Sequence, residues 1–377
     1  MKILHVYKDY YPVLGGIENH IRVLAEAQAQ RGHQVTVLVT NASRQTSEGT
    51  LNGVRVIKAG RLATLASTPL SLALPLALRR EQPDIAHLHV PYPLGDLAQA
   101  ICGRSRRMVI TYHSDVVRQR TLLRLYAPLL RRTLDRSDGI IATSPRYVET
   151  SPFLAPRAAR CTIIPLGIDP ARFETADPAA AAAIRARYGE RLVLFVGHLR
   201  YYKGVEYLVE SMAQVEARLL LAGDHNPERR AEIERLAHAL GVAGRVTFVG
   251  QQDDAGLAAH YHACDVFALP CIERSEAFGV VQLDAMAAGR PVVACDVGTG
   301  VAWVNQHNVT GLIVPPRDAR QLAAALNQLL ADPDMRARMG SAGRARVREH
   351  FTLAQMVERT EALEEQVLSR PKRVKTL

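Results

Sequence analysis

Arg274-Ser275-Glu276-Ala277-Phe278-Gly279-Val280-Val281-Gln282-Leu283-Asp284 follows the apolar run Cys264-Asp265-Val266-Phe267-Ala268-Leu269-Pro270 and precedes Ala285-Met286-Ala287-Ala288-Gly289. The upstream run reads as a strand ended by proline, the downstream one as a helix body with a glycine stop. The quoted stretch is therefore the loop of a strand-loop-helix unit together with the start of its helix. At a helix start the first N–H groups lack intrahelical acceptors and the dipole favours an anion, so Phe278 to Val281 could hold a diphosphate or sugar hydroxyls. Glu276 is expected over a sugar, and Asp284, inside the helix, within reach of a polar group such as a ribose. The plain alternative is that Glu276 caps the helix and Asp284 is a solvated helix residue, since carboxylates favour helix starts. The rest of the chain has to decide between them.

The same rhythm extends in both directions. Residues 2–7, 34–40, 54–58, 84–89, 107–112 and 139–143 read as short apolar strands with helical stretches between most of them. After a Pro- and Ala-rich passage at 165–183 the pattern restarts, with strands expected at 192–196, 217–222, 245–249, 266–269, 292–294 and 311–314. Two successive βα runs imply an α/β protein of two doubly wound, Rossmann-like domains, whose ligands sit beyond the carboxyl ends of the strands, in the cleft between domains. At 377 residues the chain exceeds the size at which one core usually splits. The expected boundaries are 1–170 and 171–355, with a C-terminal helix and charged tail at 356–377 that could return to the first domain.

Composition is that of a soluble globular protein. Met1-Lys2 leads directly into the first strand, which speaks against a signal peptide. The longest apolar stretch, Leu62 to Leu78, contains Pro69 and Pro75, is short for a bilayer span, and reads as helices beneath a domain. Five cysteines, Cys102, Cys161, Cys264, Cys271 and Cys295, share no metal-like spacing, which fits a reducing cytoplasm. Residues 1–170 hold 22 Lys+Arg against 12 Asp+Glu and the remainder 25 against 25, so the whole positive excess is N-terminal. Much of it lies in Val117 to Arg136, where Arg118, Arg120, Arg124, Arg131 and Arg132 alternate with Leu122, Leu125, Tyr126, Leu129 and Leu130 near helical spacing. Such a helix can lie on anionic lipid, or it is an ordinary surface helix with an arginine-rich outer face. Nucleic acid is the weaker explanation, because no binding motif accompanies the charge and aromatics are few.

Three further features end strands. Leu14-Gly15-Gly16-Ile17-Glu18 follows the first strand, where two glycines permit close approach of backbone to a phosphate, or simply a tight turn. Thr111-Tyr112-His113 closes another strand, and its imidazole could touch a sugar, move a proton or be structural. Gly197-His198-Leu199-Arg200-Tyr201-Tyr202-Lys203-Gly204 places two cations after the first strand of the second half, suited to gripping phosphate oxygens.

With these elements in this order, the chain resembles the retaining family 4 glycosyltransferases of the GT-B fold, over nearly its whole length. The resemblance implies an acceptor-binding N-terminal domain, a nucleotide-sugar-binding C-terminal domain, and no metal or cofactor. By position, Gly15 and Gly16 would let their loop meet donor or acceptor; His113 would bond the donor sugar; Arg200 and Lys203 would neutralise the leaving diphosphate; Glu276 would hold sugar hydroxyls; Phe278, Gly279 and Val280 would offer N–H groups; and Asp284 would bind ribose. Two positions depart from the family pattern. Asp284 stands where members usually carry Glu, and His198 where many carry Arg, so either Arg200 takes that arginine's place or His198 occupies it with Lys203 carrying the charge. The likeness to bacterial cell-surface polysaccharide and glycolipid enzymes makes GDP-mannose the first expected donor and a UDP-hexose the second, with a lipid-linked or saccharide acceptor at the inner membrane face. A sugar-nucleotide epimerase and a non-catalytic sugar-nucleotide binding module are the competing readings. Lys203→Ala is expected to lower turnover with little loss of stability.

Overall fold

The structure, a computed structural model, describes residues 1–13, 15–65, 68–223 and 226–371, with Arg120 described by its backbone alone. The chain divides into two compact units: unit 1 is Met1–Pro165 together with the segment from Leu353 onward, and unit 2 is Leu166–Thr352. The divisions thus fall before the expected 170 and 355. Residues 166–170 belong to unit 2 because Ile168 bridges to Thr352 and its N–H donates to the Phe351 carbonyl at 2.9 Å.

Unit 1 contains β1 (Lys2–Val6), β2 (Gln34–Thr40), β3 (Ser47–Leu51), β4 (Val54–Ala59), β5 (Ala63–Leu65), β6 (Thr68–Leu70), β7 (Ile85–Val90), β8 (Arg107–Tyr112), β9 (Gly139–Ala142) and β10 (Cys161–Ile163). Its helices are α1 (Gly16–Gln30), α2 (Ala73–Arg80), α3 (Pro93–Cys102), α4 (Arg120–Arg136) and α5 (Pro145–Thr150). Eight strands form one sheet in the order β10-β9-β8-β7-β1-β2-β4-β3, parallel except for the antiparallel edge strand β3. Central strands such as β7 and β9 are buried along their full length, as expected where helices cover both faces of a parallel sheet. Strand order reverses between β1 and β7, which are direct neighbours with His5 opposite His87.

Two expectations for this unit fail. Residues 62–78 are not all helical: β5 and β6 pair as an antiparallel hairpin, and only then does α2 begin. Pro69 cannot donate a helical hydrogen bond, and threonines at 64 and 68 favour extended backbone. The basic helix starts at Arg120, so Arg118 precedes it.

Unit 2 contains β11 (Leu192–Val196), β12 (Arg218–Ala222), β13 (Val246–Gly250), β14 (Val266–Leu269), β15 (Val292–Cys295) and β16 (Gly311–Val314). Its helices are α6 (Ala171–Glu174), α7 (Pro178–Tyr188), α8 (Val205–Ser211), α9 (Pro227–Ala239), α10 (Asp254–Ala263), α11 (Val280–Ala287), α12 (Val301–Val304), α13 (Ala319–Ala331) and α14 (Pro333–His350). The sheet runs β13-β12-β11-β14-β15-β16, wholly parallel, with its order reversing between β11 and β14. Phe195, Leu221, Ala268 and Val293 pack with Leu208 and Val209 of α8 and Leu322, Leu326 and Leu329 of α13 in one core. Each such large side chain contributes about 1.5–3 kcal/mol, so the core holds the strand ends firmly where the site loops leave them.

The last helix, α15 (Leu353–Ser369), packs in unit 1 against α1. Arg31 pairs with Glu361 at 2.7 Å, and the Gln28 amide donates to Glu364 at 3.0 Å.

Candidate functional site

In an open parallel sheet the loops that leave adjacent strands at the order reversal diverge to opposite faces and leave a crevice beyond the strand ends. In unit 2 these are the loops after β11 and β14, the two that carry Lys203 and Glu276. Gly204 takes a left-handed backbone, φ +63°, and a Cβ there would strike the Pro270 carbonyl and approach Ile272 Cγ2 to 2.7 Å. This glycine lets the first loop lie directly on the second, where the Ile272 N–H donates to the Tyr202 carbonyl at 2.8 Å. Lys203 Nζ then meets Glu276 Oε2 at 2.5 Å, each side chain only 12% exposed. Burial alone would lower the Lys203 ammonium, but the Glu276 carboxylate, helped by Cys271 and Tyr202, holds it above the ordinary lysine value.

The Glu276 loop is strapped from the segment after β15. Thr299 Oγ1 donates to the Glu276 carbonyl at 2.7 Å, the Gly300 N–H to the Ala277 carbonyl at 2.8 Å, and Arg274 Nη1 to the Gly298 carbonyl at 2.7 Å. Phe278 is buried against Phe351, and Gly279, at φ +73°, caps α11 where a Cβ would come within 2.7 Å of Leu269 Cδ2. The first N–H groups of α11, from Val280, have no acceptor within their helix and lie next in sequence to the glycine cap.

The remaining unit 2 candidates are less central. Arg200 is exposed and precedes the short turn Tyr201–Lys203, so Lys203 is the cation brought to Glu276; His198 is half-buried on the same loop. Asp284 is half-buried on the second turn of α11. Its carboxyl is raised to about 8, chiefly by burial, with Arg172 lowering it and Asp254 raising it. Asp253 and Asp254, read from the sequence as surface residues, are the cap and first residue of α10, and Asp254 pairs with Arg172 at 2.5 Å.

In unit 1, Gly15 is the extended cap of α1, where a Cβ would run into the Glu18 carboxylate, whereas Gly16 has open space at its Cβ position. Leu14 lies outside the described residues. His113 follows β8 directly and is 4% exposed. It ends a row of buried groups that the sequence reading missed. His113 Nε2 is 2.9 Å from His89 Nδ1, His89 Nε2 is 3.0 Å from His5 Nδ1, and His5 Nε2 is 2.8 Å from Gln28 Oε1. Gln28 Nε2 donates to Glu364 Oε2, whose Oε1 is 2.9 Å from His87 Nδ1, and His87 Nε2 is 2.7 Å from Thr111 Oγ1. His20, on α1, stands edge-on to His113 at 5.2 Å between ring centres, with both ring nitrogens buried and without a partner. Burial lowers all five imidazoles, His5 to about 4 and His20 and His87 to about 3. Among the described residues, His5/His87/His89 and His20/His89/His113 are the groups whose ligand atoms lie close enough, within 4.8 Å, to consider a metal ion. The signal for the cluster was present: His87 and His89 alternate on one strand and so share a face. What the sequence did not contain was the pairing of that strand with β1.

The basic helix α4 buries Tyr126, Ala127, Leu130 and Leu134 and exposes Leu122, Arg124, Leu125, Arg131 and Arg132; the Arg120 side chain lies outside the described residues. Among the described residues no helix is long and apolar enough to cross a membrane.

Residues 14–172 match the sequence profile of Glycosyltransferase Family 4, and residues 179–346 that of the Glycosyl transferases group 1. The chain is 35% identical over 364 residues to the O-antigen chain mannosyltransferase C of Escherichia coli, which covers 95% of this chain and 96% of that protein. It is 34% identical to the D-rhamnosyltransferase WbpZ of Pseudomonas aeruginosa, over 93% of this chain and 92% of that one. Among solved structures, sucrose-phosphate synthase from Thermosynechococcus elongatus superposes with a TM-score of 0.82 at 27% identity, covering 97% of this chain and 99% of that one. Two Rossmann-like units, profile matches along most of the length and relatives of this similarity together establish that the chain belongs to the family 4 glycosyltransferases of the GT-B fold and is an enzyme of glycosyl transfer.

Proposed function

We propose that this enzyme moves a hexose of D-manno configuration from its nucleoside diphosphate, GDP-mannose being the first donor to test, to a hydroxyl of a saccharide or lipid-linked acceptor in cell-surface glycan synthesis. The observation that carries the donor site is the Lys203–Glu276 pair, 2.5 Å apart where the strand order of unit 2 reverses and one turn from the start of α11. As the bond from C1 to the diphosphate loosens, negative charge grows on the leaving group. Lys203, Arg200 and the N–H groups of Phe278, Gly279 and Val280 supply the complementary field. The incoming anion competes with Glu276 for Lys203, which frees that carboxylate for sugar hydroxyls. Asp284 takes the ribose, and the backbone at Gly15 and Gly16 admits a ligand closely. His113 contacts a hydroxyl. With fixed cations meeting the diphosphate, donor binding requires no divalent metal, and transfer proceeds with retention at the anomeric carbon. The D-manno preference is supported by the two relatives named above, since D-rhamnose is mannose without its 6-hydroxyl.

Incubation with GDP-mannose, UDP-glucose and UDP-galactose, each with and without a polyprenyl-diphosphate-linked saccharide, tests this reading. The expected result is acceptor-dependent release of GDP. Release of UDP alone overturns the donor assignment, and an epimerised donor in the absence of acceptor overturns transfer in favour of epimerisation.

The acceptor's lipid is met by unit 1 in this proposal. Leu72 and Leu76 beside α2's start, Leu97 and Ile101 on α3, and Leu122 and Leu125 on α4 are exposed apolar pairs on adjacent helices, and Arg124, Arg131 and Arg132 flank the last. Apolar side chains ringed by cations fit an anionic lipid surface. Flotation with phosphatidylglycerol vesicles is expected at low salt, weakened by moderate salt and by Ile101→Glu with Leu125→Glu. Equal recovery with neutral vesicles, or no binding at all, contradicts it.

A further inference from the structure

Every imidazole in the row that ends on His113 is buried and neutral near pH 7, so each ring has one donor and one acceptor nitrogen. The direction of the hydrogen bonds is therefore set from the end where no choice exists. That end is Glu364. Its Oε2 accepts from Gln28 Nε2, which turns the Gln28 carbonyl toward His5. An ionised Glu364 and one holding its proton on Oε1 toward His87 leave Oε2 an acceptor alike. His5 must then donate from Nε2 and accept at Nδ1. His89 donates to it from Nε2 and accepts at Nδ1, and His113 donates from Nε2. The one ring position left is His113 Nδ1, a lone pair that makes no hydrogen bond among the described residues.

We propose that Glu364, Gln28, His5 and His89 are positioning residues that lock His113 in its Nε2–H tautomer, so that Nδ1 meets the substrate as an acceptor for a hydroxyl and never as a donor to a phosphate oxygen. The proposal rests on the reading of His113 as a substrate contact. His20, against the His113 ring, carries two buried nitrogens without partners. The C-terminal helix thereby sets the chemistry of a residue 251 positions away in sequence (364 − 113).

The test is side-chain ¹⁵N NMR of the full-length protein labelled at histidine. His113 is expected with a proton on Nε2 and none on Nδ1. Gln28→Met and Glu364→Leu, which erase the direction, are expected to give a mixture of tautomers and to lower kcat about 10-fold with little change in the donor KM. Glu364→Gln, which can still present an oxygen to the Gln28 amide, is expected to keep the tautomer. A merely structural role would move stability without moving the tautomer. If the variants fail to fold, the wild-type spectrum still decides: Nδ1–H on His113 overturns the proposal. So does uptake of one zinc ion per chain at micromolar concentration with loss of both His89 and His113 imidazole N–H signals, because a metal needs the lone pairs that the row occupies. The spectrum requires no substrate, so absence of glycosyl transfer would sink the proposed function and leave this assignment standing.

Discussion

Lys203 reaches Glu276 only because residue 204 has no side chain, and that contact changes what removal of the lysine means. From the sequence, Lys203 was expected to grip the diphosphate, and Lys203→Ala to cost little stability. In the structure it neutralises a carboxylate that is 12% exposed. Breaking such a pair from one side leaves a poorly solvated charge, at a cost of about 2–4 kcal/mol, whereas removing both partners avoids most of it. Lys203→Ala is therefore expected to lower both the unfolding midpoint in urea and turnover, the latter by roughly 10²–10³-fold. The double variant Lys203→Ala/Glu276→Ala is expected to recover most of the midpoint and none of the turnover. Recovery of turnover by the double variant would show that the pair is structural. Residue types at the site were legible from Arg274 to Asp284 and from Gly197 to Gly204; the mutual neutralisation of two of them was not, because it depends on two loops separated in sequence by β12, β13 and the helices around them.

Helix α11 shows how an element decides what its residues do. Its start is fixed by Gly279, and Asp284 follows one turn further along, close to α6 and α10, where burial raises its carboxyl to about 8. At neutral pH that carboxyl is protonated, so an amide can stand in for it. Asp284→Asn is expected to hold the KM for the nucleotide sugar within about 3-fold at pH 7, and Asp284→Ala to raise it about 10-fold or more. Equal losses for the two variants would contradict the neutral carboxyl. Most strands were readable because continuous apolar runs flanked by turn residues have few alternatives. The small strands were not. Residues 47–51 are polar and exposed on an edge, and 161–163 is a three-residue strand, so neither has the apolar signature of a buried strand.

At the scale of the whole molecule, the return of α15 to unit 1 makes one helix both a cover for the sheet and the anchor of a buried titratable cluster. Five imidazoles there resist protonation in the folded state, and two carboxyls, Glu364 and Asp96, are raised by burial to about 7. Below the ordinary histidine value of 6.5 the unfolded chain binds protons that the folded imidazoles refuse, so stability falls as pH falls. The two carboxyls act oppositely, holding protons in the folded state that the unfolded chain releases, and their contribution is lost as pH rises toward 7. Five groups outweigh two, with a net slope of at most about 4 kcal/mol per pH unit between roughly pH 5 and 6.5. Calorimetry of the intact chain is expected to show the unit 1 transition at its highest temperature at about pH 7 and falling steeply toward pH 5; a transition unmoved over that range would mean that the cluster is not neutral as described. Two-unit architecture was visible in the repeated βα rhythm, but α15's attachment rests on Gln28, His87 and Glu364 meeting inside unit 1, and a heptad-like helix at a chain end carries no mark of its destination.

In the proposed function, the loops at the reversal point of the unit 2 sheet hold a nucleoside diphosphate through Lys203 and the start of α11. Titration calorimetry of GDP into the full-length protein in EDTA measures this directly, without acceptor or turnover. Binding is expected without added metal, with an affinity lowered about 10- to 100-fold in Lys203→Ala/Glu276→Ala, the loss of one charge-assisted contact to phosphate. Undiminished GDP affinity in that variant would contradict it.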